Sequence, residues 1–339
     1  MMKKLLPFLC ASALALSLTA CAGTINNSTA DAASDVTFTF TDSGVTAAGE
    51  TDTGYEIDGT ALTITDSGTY TVSGSCADGS IKVKKGTTGV TLVLDSLTLT
   101  SENTAAITCG KSSEVTILVS DGTENSLSDT EQNNDDNYPE NENAENAVIK
   151  CKDGSLVTLC GDGELTVTAN GKNGIKSGAT TDEDGEALLT IRDLTLNIDA
   201  PVNDAINAEQ LLNVESGTLT IDATVPSDGT GGIVGYCGKG TITGCGNTGG
   251  IGGKPSKTGG IAGQADDCQI ADCYNTGDLV LPWGAGDNNG GIAGLTYNAT
   301  LITRCYNTGT VTVEGSQAGG ICGQLNAGAT ISSCYNCLL

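Results

Sequence analysis

An isoleucine returns along this chain in nearly the same setting, at Ile107, Ile149, Ile175, Ile206, Ile233, Ile261, Ile292 and Ile321. Its intervals are 26–31 residues, apart from one step of 42. A period of that size, held over so many copies, predicts a repeat architecture in which each unit buries its apolar face against the next. The residue two positions on is always small: Cys109, Cys151, Ser177, Ala208, Gly235, Gly263, Gly294 and Gly323. In a strand, positions i and i+2 share a face, so the pair predicts two inward columns, one of isoleucine and one of small residues. The columns are expected to run unbroken from Ile107 to Ile321.

Around each isoleucine stand short alternating runs. Val90–Leu94 and Leu97–Thr100 flank Asp95-Ser96, and the phrase returns at 156–159 with 165–168, at 188–191 with 194–198, and at 211–214 with 219–221. Abundant β-branched residues, 47 glycines and no segment of helical period place the chain in the all-β class. Three short strands per repeat, each paired with its equivalent above and below, describe a right-handed parallel β-helix, a solenoid. Residues 35–86 are expected to cover its open edge.

After about residue 227 the phrase becomes Gly-Gly-Ile-x-Gly, then Ile-x-x-Cys-Tyr-Asn-Thr-Gly, with copies at 270–277 and 302–309 and variants at 242–249 and 331–336. The Asn-Thr-Gly turns suggest a positive φ at their glycine. Four domains follow: a signal segment over 1–20, a tether over 21–34, a β-helix over 35–226, and repeats over 227–339 that continue it.

The opening residues read as an address. Lys3 and Lys4 precede an apolar run, Leu5–Leu18, too short to span a bilayer as a helix. Leu18-Thr19-Ala20-Cys21 looks like a bacterial lipobox, which implies export, lipid attachment at Cys21 and anchoring to the outer face of the cell membrane.

Charge and cysteine usage narrow the partners. A net charge of −26 excludes nucleic acid as a natural ligand and favours cations or glycans. Of the 14 cysteines, Cys109 and Cys151 fall in one column, and Cys245, Cys273, Cys305 and Cys334 in another. Such columns pack as small apolar residues without bonds. Cys268 with Cys273, and Cys334 with Cys337, are the pairs spaced closely enough for bridges. No histidine occurs, so Ser-His and Cys-His nucleophile systems are absent.

The 42-residue step holds an acidic, asparagine-rich insertion over 129–146, expected to leave the stack as a loop. Asp121, Asp129, Glu145, Asn146 and Asp153 border it. With Asp204 at a later turn, they are the oxygen donors a calcium ion would seek. Lys150 and Lys176 hold equivalent ladder positions, and with Lys152 and Lys172 offer a track for carboxylates. Tyr138 is an aromatic surface for a sugar ring; Trp283 and the column Tyr274, Tyr306, Tyr335 are further aromatic candidates, the column reading more readily as structural stacking.

Gly68–Gly74, Val90–Leu94, Asp121–Asp129 and Asn173–Ser177, in that order, resemble a family of exported clostridial-type carbohydrate-binding proteins. Their fold is a right-handed parallel β-helix related to the pectate lyases. The resemblance covers residues 60–225 and implies binding of plant-wall polysaccharide, acidic galacturonan or cellulose, with bound calcium and without catalysis. The family often writes its turns Asp-Asp-Gly-Ile. This chain has Lys172-Asn173-Gly174-Ile175 and Asn203-Asp204-Ala205-Ile206 instead, which weakens calcium at those turns. The C-terminal phrases resemble the GLUG repeat of bacterial surface proteins. Two other readings stand beside glycan binding: a structural or adhesive surface protein presenting loops to a protein partner, and a polysaccharide lyase.

Overall fold

The computed structural model of the chain describes residues 36–49, 52–178, 187–215, 218–222, 229–252, 256–282, 286–314 and 317–337. Cys21, the signal segment, the tether and Trp283 lie outside the described residues. Every described element is a strand. Two antiparallel hairpins open the chain, Val36–Thr41 with Gly44–Gly49 and Tyr55–Asp58 with Ala61–Ile64. Phe38 and Phe40 are buried there, and Tyr55 packs edge-on to Phe38 at 4.9 Å. All later pairings are parallel and join a strand to its equivalent one repeat on.

Three ladders result. One carries the isoleucines, through Ser80–Val83, Ile107–Cys109, Ala147–Cys151 and Asn173–Ser177. A second carries Glu114–Val119, Leu156–Gly161 and Leu188–Arg192. The third carries Glu124–Asp129, Glu164–Thr168 and Thr195–Asp199. Alternation decides which side chains enter the core: in Glu114–Val119 the three valine and isoleucine positions are buried and the residues between them are not. The phrase around Asp95-Ser96 is one strand, Val90–Ser101, bent at Ser96 with φ 60°.

The isoleucine column begins earlier than its repeat suggests, because Ile81 pairs with Ile107 and Leu62 with Ile81. It also breaks where continuity was expected. Asn207 pairs with Tyr236 and Ala208 with Cys237, which sets Ile206 opposite Gly235, two residues beyond Ile233. From there Ile233, Ile261, Ile292 and Ile321 form their own column, each passing a backbone hydrogen bond to the next. A two-residue slip keeps every side chain on its original face, so the core tolerates it. The glycines read as the small column instead continue the first isoleucine column. A side chain there has no room: a Cβ on Gly263 would meet the backbone of Gly229 and Thr230, and one on Gly294 the backbone of Lys257.

The C-terminal repeats are held by polar ladders. Asn247 donates to Asn275, Asn275 to Asn307 and Asn307 to Asn336, each from Nδ2 to Oδ1 at 2.7 Å. Each of the first three amides also donates to the glycine carbonyl two residues on. Beside them Tyr274, Tyr306 and Tyr335 stack at 5.4 and 5.3 Å with interplanar angles of 11° and 6°. Neighbouring rings cover one another's faces, so the column is structural. Glycine in the Asn-Thr-Gly turn is required by close approach and not by a positive φ. A Cβ on Gly277 would strike the carbonyl of Gly249, and one on Gly309 that of Gly277.

Candidate functional site

The acidic insertion leaves the ladders between Glu124–Asp129 and Ala147–Cys151, as its composition requires, but it is pinned back at its base. Asn133, with no exposed surface, uses its whole amide. Its Nδ2 donates to Asp129 Oδ2 at 2.8 Å and to the Ala147 carbonyl at 2.9 Å. Its Oδ1 accepts from the Glu145 and Asn146 backbone N–H groups at 2.7 and 3.1 Å. Asn134 donates to the Gly171 carbonyl, and Asn141 to the carbonyls of Asn103 and Gln132. Buried amides fully satisfied in this way give a loop one conformation.

Held there, the returning half of the loop walls a cavity of about 400 Å³. Glu142, Asn143 and Glu145 come from the loop, and Asp78 and Ser80 from the turn entering the first ladder. Lys82 and Thr108, register partners on that ladder, join them. Besides Ala61, Gly79, Ile81 and Ala105, the lining is hydroxyls, amides and three carboxylates against one lysine, with no aromatic ring. Lys150 continues the same outward column, paired in register with Thr108 on one side and Lys176 on the other.

The four lysines assigned to a carboxylate track differ in availability. Lys152 meets Glu145 at 2.5 Å, Lys172 pairs with Asp136, and Lys176 lies 3.4 Å from Glu209. Lys150 has no ion-pair partner among the described residues, and burial, with Lys176 alongside, lowers its ammonium from the ordinary value. Tyr138 sits on the loop away from the cavity, and a hydrogen bond to Glu131 raises its phenol.

The oxygen donors assigned to calcium do not converge. Asp121 is exposed at the turn between the second and third ladders, whereas Asp153 lies at the turn between the first and second. Asp204 accepts from Asn207 Nδ2 at 2.7 Å, two repeats further on. Glu145 and Asn146 offer N–H groups to Asn133, and the Asn146 side chain accepts from the Asp135 N–H. Among the described residues no three acidic or thiol groups stand together as a metal centre. These residues therefore do not fit a shared calcium cage.

Asp129 has a different role. It is 1 % exposed, and besides Asn133 it accepts from the Asn170 and Gly171 N–H groups at 2.7 and 3.0 Å. Burial nevertheless pushes its carboxyl up to about 6, against an ordinary 3.8. A carboxylate raised in the folded state favours folding most below its unfolded pKa, and that contribution fades as pH rises through about 6. Asp129→Asn is expected to abolish this dependence. The gap between native and variant unfolding free energies should change by about 3 kcal/mol between pH 3.5 and 7, read by chemical denaturation.

Residues 58–233, just over half the chain, match the carbohydrate-binding domain-containing protein family, and the chain belongs to it. It is 38% identical over 117 residues to a carbohydrate-binding domain-containing protein of Acetivibrio thermocellus, an alignment covering 33% of this chain and 38% of that relative. The match thus spans well under half the relative's length. The polysaccharide lyase-like protein from C. thermocellum, solved as a gadolinium derivative, superposes with a TM-score of 0.53 at 24% identity, over 84% of this chain and 99% of that one. That likeness concerns the fold.

Sequence reasoning singled out the loop, and Lys82 as part of a basic patch, but missed Asn133, the loop's central residue, and the groove partners Asp78 and Ser80. The signal available was the asparagine density of the insertion, which composition alone assigns to solvent.

Proposed function

We propose that this chain is an exported, lipid-anchored cell-surface protein whose domain, a right-handed parallel β-helix, binds polysaccharide without cleaving it. Family membership supports the ligand class, and the in-register parallel ladders support the architecture. The observation that carries the reading is the polar cavity under the pinned loop, a surface of hydroxyls, amides and carboxylates suited to sugar hydroxyls. Its charge favours a neutral, cellulose-like glycan over galacturonan. Asp78, Glu142 and Glu145 outnumber Lys82, and three of the four neighbouring lysines are already neutralised.

Calcium enters no step of this reading. Of the two side-chain types a lyase would use as base, arginine and lysine, both arginines are occupied. Arg192 pairs with Asp193 at 3.0 Å, and Arg304 grips Asp272 with two bonds that raise its pKa further. Calorimetric titration of the full chain with cello-oligosaccharides and with oligogalacturonates, in calcium and in chelator, tests the proposal. Saturable heat with the neutral series, unchanged by chelator, is the expected result. Heat with neither series sinks the reading, and heat with galacturonate only in calcium replaces it with a cation-bridged one.

A further inference from the structure

Just beyond the register slip, two consecutive repeats bring together two thiols that the sequence does not pair. Cys237 closes the first-ladder strand that pairs with Ala208, and Cys268 opens the second-ladder strand of the next repeat, opposite Gly240. Their Sγ atoms are 2.8 Å apart, closer than unbonded sulfurs ordinarily rest, and the two residues are 0% and 2% exposed. Cys268 Sγ also lies 3.2 Å from the carbonyls of Cys237 and Asp266. Neither Cys268–Cys273 nor Cys334–Cys337 is in such contact: Cys273 Sγ donates to the Ala271 carbonyl, Cys334 Sγ to that of Ser332, and Cys337 is exposed. None of the twelve described cysteines is in a disulfide here.

We propose that Cys237 and Cys268 are a disulfide site, a covalent staple across adjacent repeats at the corner between the first and second ladders. The strand of Cys237 is irregular on its other side, where the bulge between Ala208 and Leu211 faces Cys237–Lys239, and pairs regularly with the strands on either side of Cys268's corner. A bond here ties the first repeat beyond the slip to its successor. The oxidant is a low-molecular-weight disulfide. One protein thiolate attacks it, forming a mixed disulfide and releasing one thiol. The second protein sulfur then displaces the other half as a second thiol. The two electrons reside in the two released thiols, and the protons lost by the cysteines protonate them. The contact with the Cys237 sulfur, together with burial, holds the Cys268 thiol well above its ordinary pKa, so the folded protein reacts slowly and the bond forms most readily as the chain folds.

The test is independent of any glycan. The full chain is refolded in a glutathione redox buffer, denatured, alkylated and mapped by peptide mass spectrometry without reduction. The expected result is one cross-linked peptide pair joining Cys237 to Cys268, lighter by two hydrogens than the free thiols. An unfolding midpoint several degrees above that of the reduced protein should accompany it, and should be absent in Cys237→Ala. Separate alkylation of both cysteines after refolding, or Cys268 linked to Cys273, overturns the proposal.

Discussion

Asn275→Ala lowers the unfolding free energy by about 3–5 kcal/mol, enough to drop the thermal midpoint by roughly 5–8 °C. Asn275 has no exposed surface, and its side chain takes part in three hydrogen bonds. It accepts from Asn247 at 2.7 Å, and donates to Asn307 at 2.7 Å and to the Gly277 carbonyl at 2.8 Å. Alanine removes all three and leaves Asn307 Oδ1 facing a void in the interior. A buried group stripped of its partner bears the full cost of desolvation, far more than the bond's net worth. The end of the same ladder supplies the control. Asn336 is exposed, so water replaces its partners and Asn336→Ala costs well under about 1 kcal/mol. Thermal denaturation of the two variants side by side checks the ladder, with equal small losses arguing against it.

Asn133→Ala, the second large effect, separates binding from folding. Four bonds converge on this amide, two holding Asp129 and Ala147 and two holding the backbone where the loop returns. Their loss frees the wall carrying Glu142, Asn143 and Glu145 while leaving the ladders paired. The expected outcome is at least a tenfold loss of glycan affinity, about 1.4 kcal/mol or more. Proteolytic cleavage within 131–146 should appear at temperatures where the native chain stays intact. A variant that binds as well as the native chain would place the glycan elsewhere.

How much of this the residues disclosed depends on the range of the forces involved. Alternation and a fixed period are local consequences of strand geometry, so the all-β class, the in-register stacking of Lys150 on Lys176, and the shared columns of Cys109 with Cys151 were readable from the chain. The two-residue slip at Ile206 was not. A shift by two preserves the face of every side chain, and a glycine in the isoleucine column looks, in sequence, like a small residue in the next one. The donors assigned to calcium stand apart for another reason. Nearness in sequence suggests convergence, whereas Asp121 and Asp153 fall at different corners and Asp129 is spent on hydrogen bonds. Asn133 escaped notice because a buried, saturated amide and a solvated one have the same letter and the same neighbours.

Hydrogen exchange of the full chain, with and without saturating cello-oligosaccharide, tests the glycan groove most directly. The expected footprint is slowed exchange at 78–82, 103–108 and 142–145, the segments that line the cavity, with the Asn133→Ala chain showing none. Protection centred instead on the tyrosine column or the C-terminal repeats, with these three segments unchanged, would contradict it.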